Sequence, residues 1–195
     1  MEQTGTKTLE TAHLILRRYR MEDYTAMYRN WASDPVVTRF LTWKPHSSEE
    51  VTREIVSGWV NRYEDPASYH WGITLKDSGS DEVIGDISVV HTDMRIPSAE
   101  IGYCLSRKLW GKGIMTEALE AVKLFLFDEG FLRVCACHDV NNPASGRVMD
   151  KADLISEGVL RCADLNNTGV FDVRWHAAIR SDRAKQTEQR KEQQT

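Results

Sequence analysis

The sequence predicts an α/β layer fold, a mixed and mostly antiparallel sheet flanked by helices, in the order β-α-α-β-β-β-α-β-α-β-β. Three observations carry this expectation. Stretches with apolar residues every three or four positions alternate with short runs rich in β-branched and aromatic residues. Three such runs follow one another between residues 69 and 105 with only polar turns between them, as in an antiparallel meander. A glycine turn, Trp110-Gly111-Lys112-Gly113, then joins the last run to a long amphipathic segment.

Residues 13–19 read as a first strand, after which Met21-Glu22-Asp23 opens a helix carrying Tyr24, Met27, Tyr28 and Trp31 at helical spacing. Ser47-Ser48-Glu49-Glu50 has the composition of a second helix start, with Val51, Ile55, Trp59 and Val60 following at helical spacing. The apolar loop between them, residues 41–46, either packs against the sheet or lines a substrate pocket. Strands are expected over residues 69–75, 82–90 and 99–105. Met115, Leu119, Val122 and Leu126 then form one stripe of a helix that ends near Gly130. Residues 133–138 read as a buried strand, residues 143–151 as a short helix with proline at its start, and residues 154–163 and 170–179 as closing strands. Domain limits follow: a polar lead over residues 1–11, one domain over 12–180, and a polar tail over 181–195 that is expected to be disordered.

At 195 residues, 41% of them hydrophobic, the chain supports one substantial core. Its 25 basic and 29 acidic residues give a net charge of -4, so no strong positive field exists and no nucleic-acid partner is expected. No stretch is apolar enough to span a bilayer and the first residues lack the core of a signal peptide, so no membrane partner is expected and the cytoplasm is the expected compartment. Cys104, Cys135, Cys137 and Cys162 fall in apolar runs without the spacing of a zinc site, so they read as reduced core thiols and no metal is expected.

The glycine turn lies between a strand and a helix, an arrangement that aims several free backbone N–H groups at one point with the helix dipole behind them. A phosphate or pyrophosphate fits it; so does a purely structural turn. Two common phosphate motifs are excluded by spacing: Gly111-Lys112-Gly113 lacks the four-residue gap and hydroxyl of a P-loop, and a dinucleotide fingerprint would require glycine or alanine at position 116.

Ala99-Glu-Ile-Gly-Tyr-Cys-Leu105, Trp110-Gly-Lys-Gly-Ile-Met-Thr-Glu-Ala118, and Asn142-Pro-Ala-Ser145 with Val148-Met-Asp-Lys-Ala152 together resemble the GNAT superfamily of acetyltransferases. Within it the chain resembles the ribosomal-protein alanine N-acetyltransferase branch, in which Leu14-Ile-Leu-Arg17 with Asp23, and Glu157-Gly158 through Gly169 and Asp172, also find counterparts. The resemblance covers residues 12–180 and implies an acetyl-CoA-dependent N-acetyltransferase acting on an amine, either a protein N-terminal α-amine or a small-molecule amine. It implies that the backbone of Tyr103, Cys104 and Leu105 pairs with the pantetheine arm where two strands part. The N–H groups of Trp110, Gly111, Lys112, Gly113, Ile114, Met115 and Thr116 would hold the pyrophosphate, and Asn142 and Ser145 would contact the arm. Dimers are common in the family, which makes a homodimer an expectation.

The chain departs from the family's pattern at three places. Lys108 stands where glutamine or arginine is frequent, and Asp153-Leu154 replaces a glycine-aromatic pair. Met149 occupies the position of a tyrosine that protonates the leaving thiolate in many relatives, and a thioether cannot donate a proton. Ser145 or a water is the candidate for that role.

An amine must lose a proton to attack, since a lysine amine titrates near about 10.4 and an α-amine near about 7.7–8.0. A carboxylate working through one water, with backbone N–H groups polarising the thioester, suffices for direct attack. The resemblance makes Asp164 the first candidate base; a solvated turn carboxylate is its alternative. Glu100 is the second, because strand alternation places it on one face with Gly102 and Cys104; a structural ion pair is its alternative. His138 is a third candidate or a packed strand-end histidine, and Trp110 reads as an apolar lid. A non-catalytic CoA-binding module and an unrelated phosphate-binding protein are the rival readings.

Overall fold

A computed structural model describes residues 3–182, which form an eight-stranded sheet in the order β1-β2-β3-β4-β5-β6-β8-β7. The strands are β1 (Leu9–Glu10), β2 (Leu14–Arg17), β3 (His70–Leu75), β4 (Gly85–Asp93), β5 (Ser98–Leu105), β6 (Arg133–Asp139), β7 (Ile155–Asn166) and β8 (Gly169–Ile179). The helices are α1 (Asp23–Met27), continued by a wider π-helical turn over Tyr28–Ala32, then α2 (Pro35–Thr38), α3 (Glu49–Arg62), α4 (Ile114–Asp128) and α5 (Pro143–Lys151). Every neighbouring pair is antiparallel except β5 and β6, which run parallel and are joined through α4. The mixed, mostly antiparallel sheet expected from the sequence is therefore present.

Two cores lie against this sheet. In the larger, α4 buries Ile114, Met115, Ala118, Leu119, Val122, Leu126 and Phe127 against Leu14, Leu16, Ile73, Ile87, Ile101 and Val134 of the strands. Each large side chain so buried contributes about 1.5–3 kcal/mol. The smaller core joins Tyr19, Met27, Trp31 and Val56 through α1 and α3. The turn from β2 into α1 is fixed by Arg17, whose Nη1 and Nη2 donate to the two oxygens of buried Asp23 at 2.8 and 2.9 Å.

Several expectations need correction. Val51 and Ile55 are 36% and 40% exposed, whereas Thr52 and Val56 are buried: over its first two turns α3 turns inward one residue later than expected, because Thr52 hydrogen-bonds His46 and Ser48 beneath the helix start, while Trp59 and Val60 pack on the smaller core as expected. Of the four thiols only Cys135 is buried; Cys104 and Cys137 are half-buried and Cys162 is exposed, on a bulge with φ of 46°. β1 and α2 were not expected, and β1 brings the chain start onto the sheet, where Trp71 Nε1 donates to the Lys7 carbonyl at 2.6 Å. The tail expected from residue 181 lies outside the described residues from 183 onward.

Candidate active site

The parallel pair at the centre of the sheet is incomplete. β5 and β6 are in register only at Ser98–Arg133, Ala99–Val134 and Glu100–Cys135, while β5 stays paired with β4 as far as Leu105. Residues 101–104 therefore keep one backbone edge unpaired by β6, facing a wedge that opens toward the carboxyl ends of two parallel strands, where ligands characteristically bind. The chain leaves β5 for α4 through the glycine turn and leaves β6 for α5 through Asn142, so both turns border the wedge.

The turn itself is held open. Gly111 and Gly113 adopt φ of 75° and 80°, left-handed values that carry little strain without a Cβ, and a Cβ at either position would meet open space. Glu117 N–H donates to the Gly113 carbonyl at 3.0 Å as the first helical bond, and the N–H groups of Gly111 to Thr116 have no protein acceptor among the described residues. Ile114 and Met115 are buried, so these two offer a ligand their backbone rather than their side chains. The half-exposed Trp110 is pinned by its Nε1, which donates to the Leu105 carbonyl at 2.9 Å, so the indole spans the start of the turn.

Across the wedge lies α5. Asn142 N–H donates to the Asp139 carbonyl at 2.7 Å, and Ser145 N–H donates to the Asn142 carbonyl at 3.1 Å. The Tyr103 hydroxyl, reaching from β5, lies 2.9 Å from Ser145 Oγ and 3.1 Å from its carbonyl oxygen. Met149 is 1% exposed within the large core, so its thioether fills space there. His138 is packed: its Nδ1 lies 2.7 Å from the Asp139 carbonyl, and its ring lies 5.3 Å from that of buried His176, tilted by 31°, and faces Gly146. Asp153 takes φ of 59° after α5, where aspartate tolerates a conformation that glycine more often occupies.

On the opposite face, Glu100 is half-buried and meets the Cys137 thiol at 3.7 Å. Burial raises its carboxyl above the ordinary range, helped by the nearby charge of Asp164, while the Cys137 contact and His91 pull the other way. Burial and Glu100 together push the Cys137 thiol up to about 12, so it stays protonated at neutral pH. Asp164 is exposed and accepts from the N–H of Leu165 at 2.7 Å. Its place is set by a bulge: Leu160 pairs with Val173 and Asp164 with Phe171, so residues 161–163 oppose Asp172 alone, whose carboxylate accepts from the Cys162 N–H at 2.8 Å. In an unbroken ladder Cys162 would stand opposite Phe171.

The β7–β8 turn closes this side. Asn167 Nδ2 donates to the carbonyls of Thr38 and Trp43 at 2.9 and 2.7 Å, and its N–H donates to that of Leu41 at 3.2 Å. Asn166 Nδ2 donates to Asp139 at 2.9 Å. Loop 41–46 is thus roped to the strand pair that carries Asp164. The sequence singled out neither Asn167 nor the side chains of Tyr103 and Cys137 as members of the site; an asparagine in a turn, a core-like tyrosine and a strand cysteine carry no local signal of such contacts.

A mostly antiparallel sheet with one splayed parallel pair, bordered by a glycine turn with free amides, defines an acyl-CoA-type transferase site. The chain belongs to the GNAT acetyltransferase family: its residues 13–155 match the family described as Acetyltransferase (GNAT) domain, and it is an acetyl-CoA-dependent N-acetyltransferase. Among relatives, it is 35% identical to the ribosomal-protein-serine acetyltransferase of Escherichia coli (strain K12) over 134 residues, 68% of this chain and 72% of the other. It is 28% identical to the uncharacterized N-acetyltransferase p20 of Bacillus licheniformis, covering 91% of this chain and 99% of that one. Its fold is shared with RimL, a ribosomal-protein α-N-acetyltransferase solved in complex with coenzyme A, at a TM-score of 0.78 and 24% identity over 89% of this chain and 98% of the other. No helix among the described residues is long and apolar enough to cross a membrane.

Proposed function

We propose that the chain acetylates a primary amine, a protein N-terminal α-amine or a small-molecule amine, by direct attack at the wedge between β5 and β6. One observation carries the reading: six free backbone N–H groups and the Ser145 hydroxyl flank the seam between β5 and β6 on one face of the sheet, and the half-buried Glu100 carboxylate stands on the other face where the two strands stop pairing. Acetyl-CoA, when bound, supplies an activated thioester.

The amides of residues 111–116 fit its pyrophosphate, because they are unpaired and sit at the positive end of the α4 dipole; the Trp110 N–H, expected among them, is instead spent on the Arg107 carbonyl at 3.2 Å. The free backbone edge around Tyr103 and Cys104 fits the pantetheine arm, with Asn142 and Ser145 on its other side, while the Leu105 carbonyl already accepts from Trp110 Nε1. Glu100 receives the amine proton through a water, since a raised carboxyl pKa suits a base working near neutrality. Asp164 shares this face, and its negative charge helps to keep the Glu100 pKa up. Ser145 faces the departing sulfur.

A protein N-terminus as acceptor is supported by the ribosomal-protein relative. The test is acetyl-CoA consumption across peptide N-termini, polyamines and aminoglycosides, repeated with Glu100→Gln and Asp164→Asn. Glu100→Gln is expected to lower kcat by about 10²-fold or more while calorimetric acetyl-CoA affinity holds. Affinity without turnover on any amine would instead identify a non-catalytic CoA-binding module.

A further inference from the structure

Tyr103 has a free backbone edge, but its hydroxyl does something separate. Alternation along β5 turns Tyr103, with Ile101 and Leu105, toward the α4–α5 side, away from Glu100, Gly102 and Cys104. Its ring packs on the large core and its hydroxyl crosses the opened seam to meet Ser145 twice, at Oγ (2.9 Å) and at the carbonyl oxygen (3.1 Å). This is a side-chain bridge across the stretch where β5 and β6 have stopped pairing.

The bridge has two proton arrangements on the same heavy atoms. In one, Tyr103 O–H donates to the Ser145 carbonyl and Ser145 O–H donates to the tyrosine oxygen. In the other, Tyr103 O–H donates to Ser145 Oγ, and the serine proton is released to point elsewhere. An anionic acceptor in the wedge selects the second, because the bond from Ser145 then becomes charge-assisted and the bond from Tyr103 reinforces it. Met149, one turn along α5 on the same face, cannot contribute a proton.

We propose that Tyr103 is a positioning residue that holds Ser145 Oγ by donating to it, so that the serine proton hydrogen-bonds the sulfur leaving the acetyl group. No proton leaves Tyr103; the amine proton goes to the Glu100 side, and the two hydroxyls only share theirs. The inference rests on the acetyl-transfer reading, and its test separates the two.

Tyr103→Phe removes one oxygen and keeps the ring in the core, so folding is expected to survive and is checked by thermal melting. Kinetically, Ser145→Ala is expected to lower kcat about 100-fold, in the range of a lost donor to a developing anion, and Tyr103→Phe about tenfold, with the KM for acetyl-CoA within about twofold. In the Ser145→Ala background, Tyr103→Phe is expected to lower kcat no further. Independently of turnover, the thiol of bound coenzyme A, titrated by thiolate absorbance, is expected to rise by about one pKa unit in Ser145→Ala, and to rise part of the way in Tyr103→Phe.

An equal loss of kcat from Tyr103→Phe in both backgrounds, or an unchanged thiol titration in that variant, overturns the role of Tyr103 alone. Full activity of Ser145→Ala overturns the serine and the tyrosine together. A wild-type chain that binds coenzyme A but turns over no amine defeats the acetyl-transfer reading itself, and the positioning role with it.

Discussion

Gly146→Ala offers a sharp test of how α5 is seated. In an exposed helix this change stabilises by roughly 0.8–1 kcal/mol, because glycine is the costlier residue in a helix interior. Here an added Cβ would lie 2.7 Å from His138 Nε2 and 3.0 Å from its Cε1, against an optimum of about 3.5–4.0 Å for such contacts. The imidazole has little room to withdraw. Its Nδ1 is tied to the Asp139 carbonyl at 2.7 Å, and its ring lies 5.3 Å from that of His176, which is itself held by Asp150 at 3.1 Å. Overpacking of this kind costs about 1–3 kcal/mol, so the net expectation is a loss of about 1 kcal/mol. For a chain of this size that lowers the melting temperature by roughly 2–4 °C. Because Ser145 is the neighbouring residue, kcat should fall as well. The assay is thermal unfolding followed by circular dichroism, repeated in a His138→Ala background where the added methyl has space. A melting temperature equal to or above wild type in the single variant, or no relief in the double, would refute the packing argument.

Gly111→Ala should weaken acetyl-CoA binding without touching the core, because it costs about 1–2 kcal/mol to hold an L-residue at left-handed φ; calorimetry should show a loss of about five- to thirtyfold. The acid limb of the pH–rate profile should fall at a higher pH than an ordinary glutamate near about 4.3, since burial raises Glu100 and only its ionised form accepts a proton. The same shift fixes the sign for stability: the contribution of protonated Glu100 is present below its unfolded pKa and lost as pH rises through the folded one, so Glu100→Gln should melt no lower than wild type at neutral pH. Asn167→Ala removes donors to two carbonyls of the loop region; the KM for the amine should rise several-fold while that for acetyl-CoA holds, and an unchanged amine KM would show that the loop does not border the acceptor.

Where the physics is local, the sequence was readable. The α4 stripe, the alternating strands and the glycine turn all depend on near neighbours, and they appear close to where the periodicity places them, with β4 displaced to Gly85–Asp93 from the expected 82–90. Short elements escaped because two residues of β1 and four of α2 cannot show a period, although Asp34-Pro35 carried the signature of a capped helix start: the Asp34 carboxylate accepts from the Val36 N–H at 2.8 Å, with proline at the next position. The face of α3 was misjudged because apolar spacing fits two neighbouring stripes, and buried Thr52 decides between them through hydrogen bonds. Cys162 looked like a core residue until the bulge at residues 161–163 lifted it out of the ladder. Within the site, the backbone part was legible because it lies in one contiguous turn. The side-chain part depends on pairs 37 and 42 residues apart, Glu100 with Cys137 and Tyr103 with Ser145, and no single-chain pattern announces such a meeting.

The parting of β5 from β6 after Glu100 also bears on how the chain should be handled. A sheet that stops pairing at its centre has an unfinished seam, and whatever occupies that seam acts as a removable ninth strand. Ligand at about 100 times its dissociation constant adds about 2.7 kcal/mol to the apparent stability of the state that binds it. A melting curve for this chain is thus a reading of occupancy as much as of fold, and preparations compared without fixing their coenzyme A content will differ for reasons that lie outside the polypeptide.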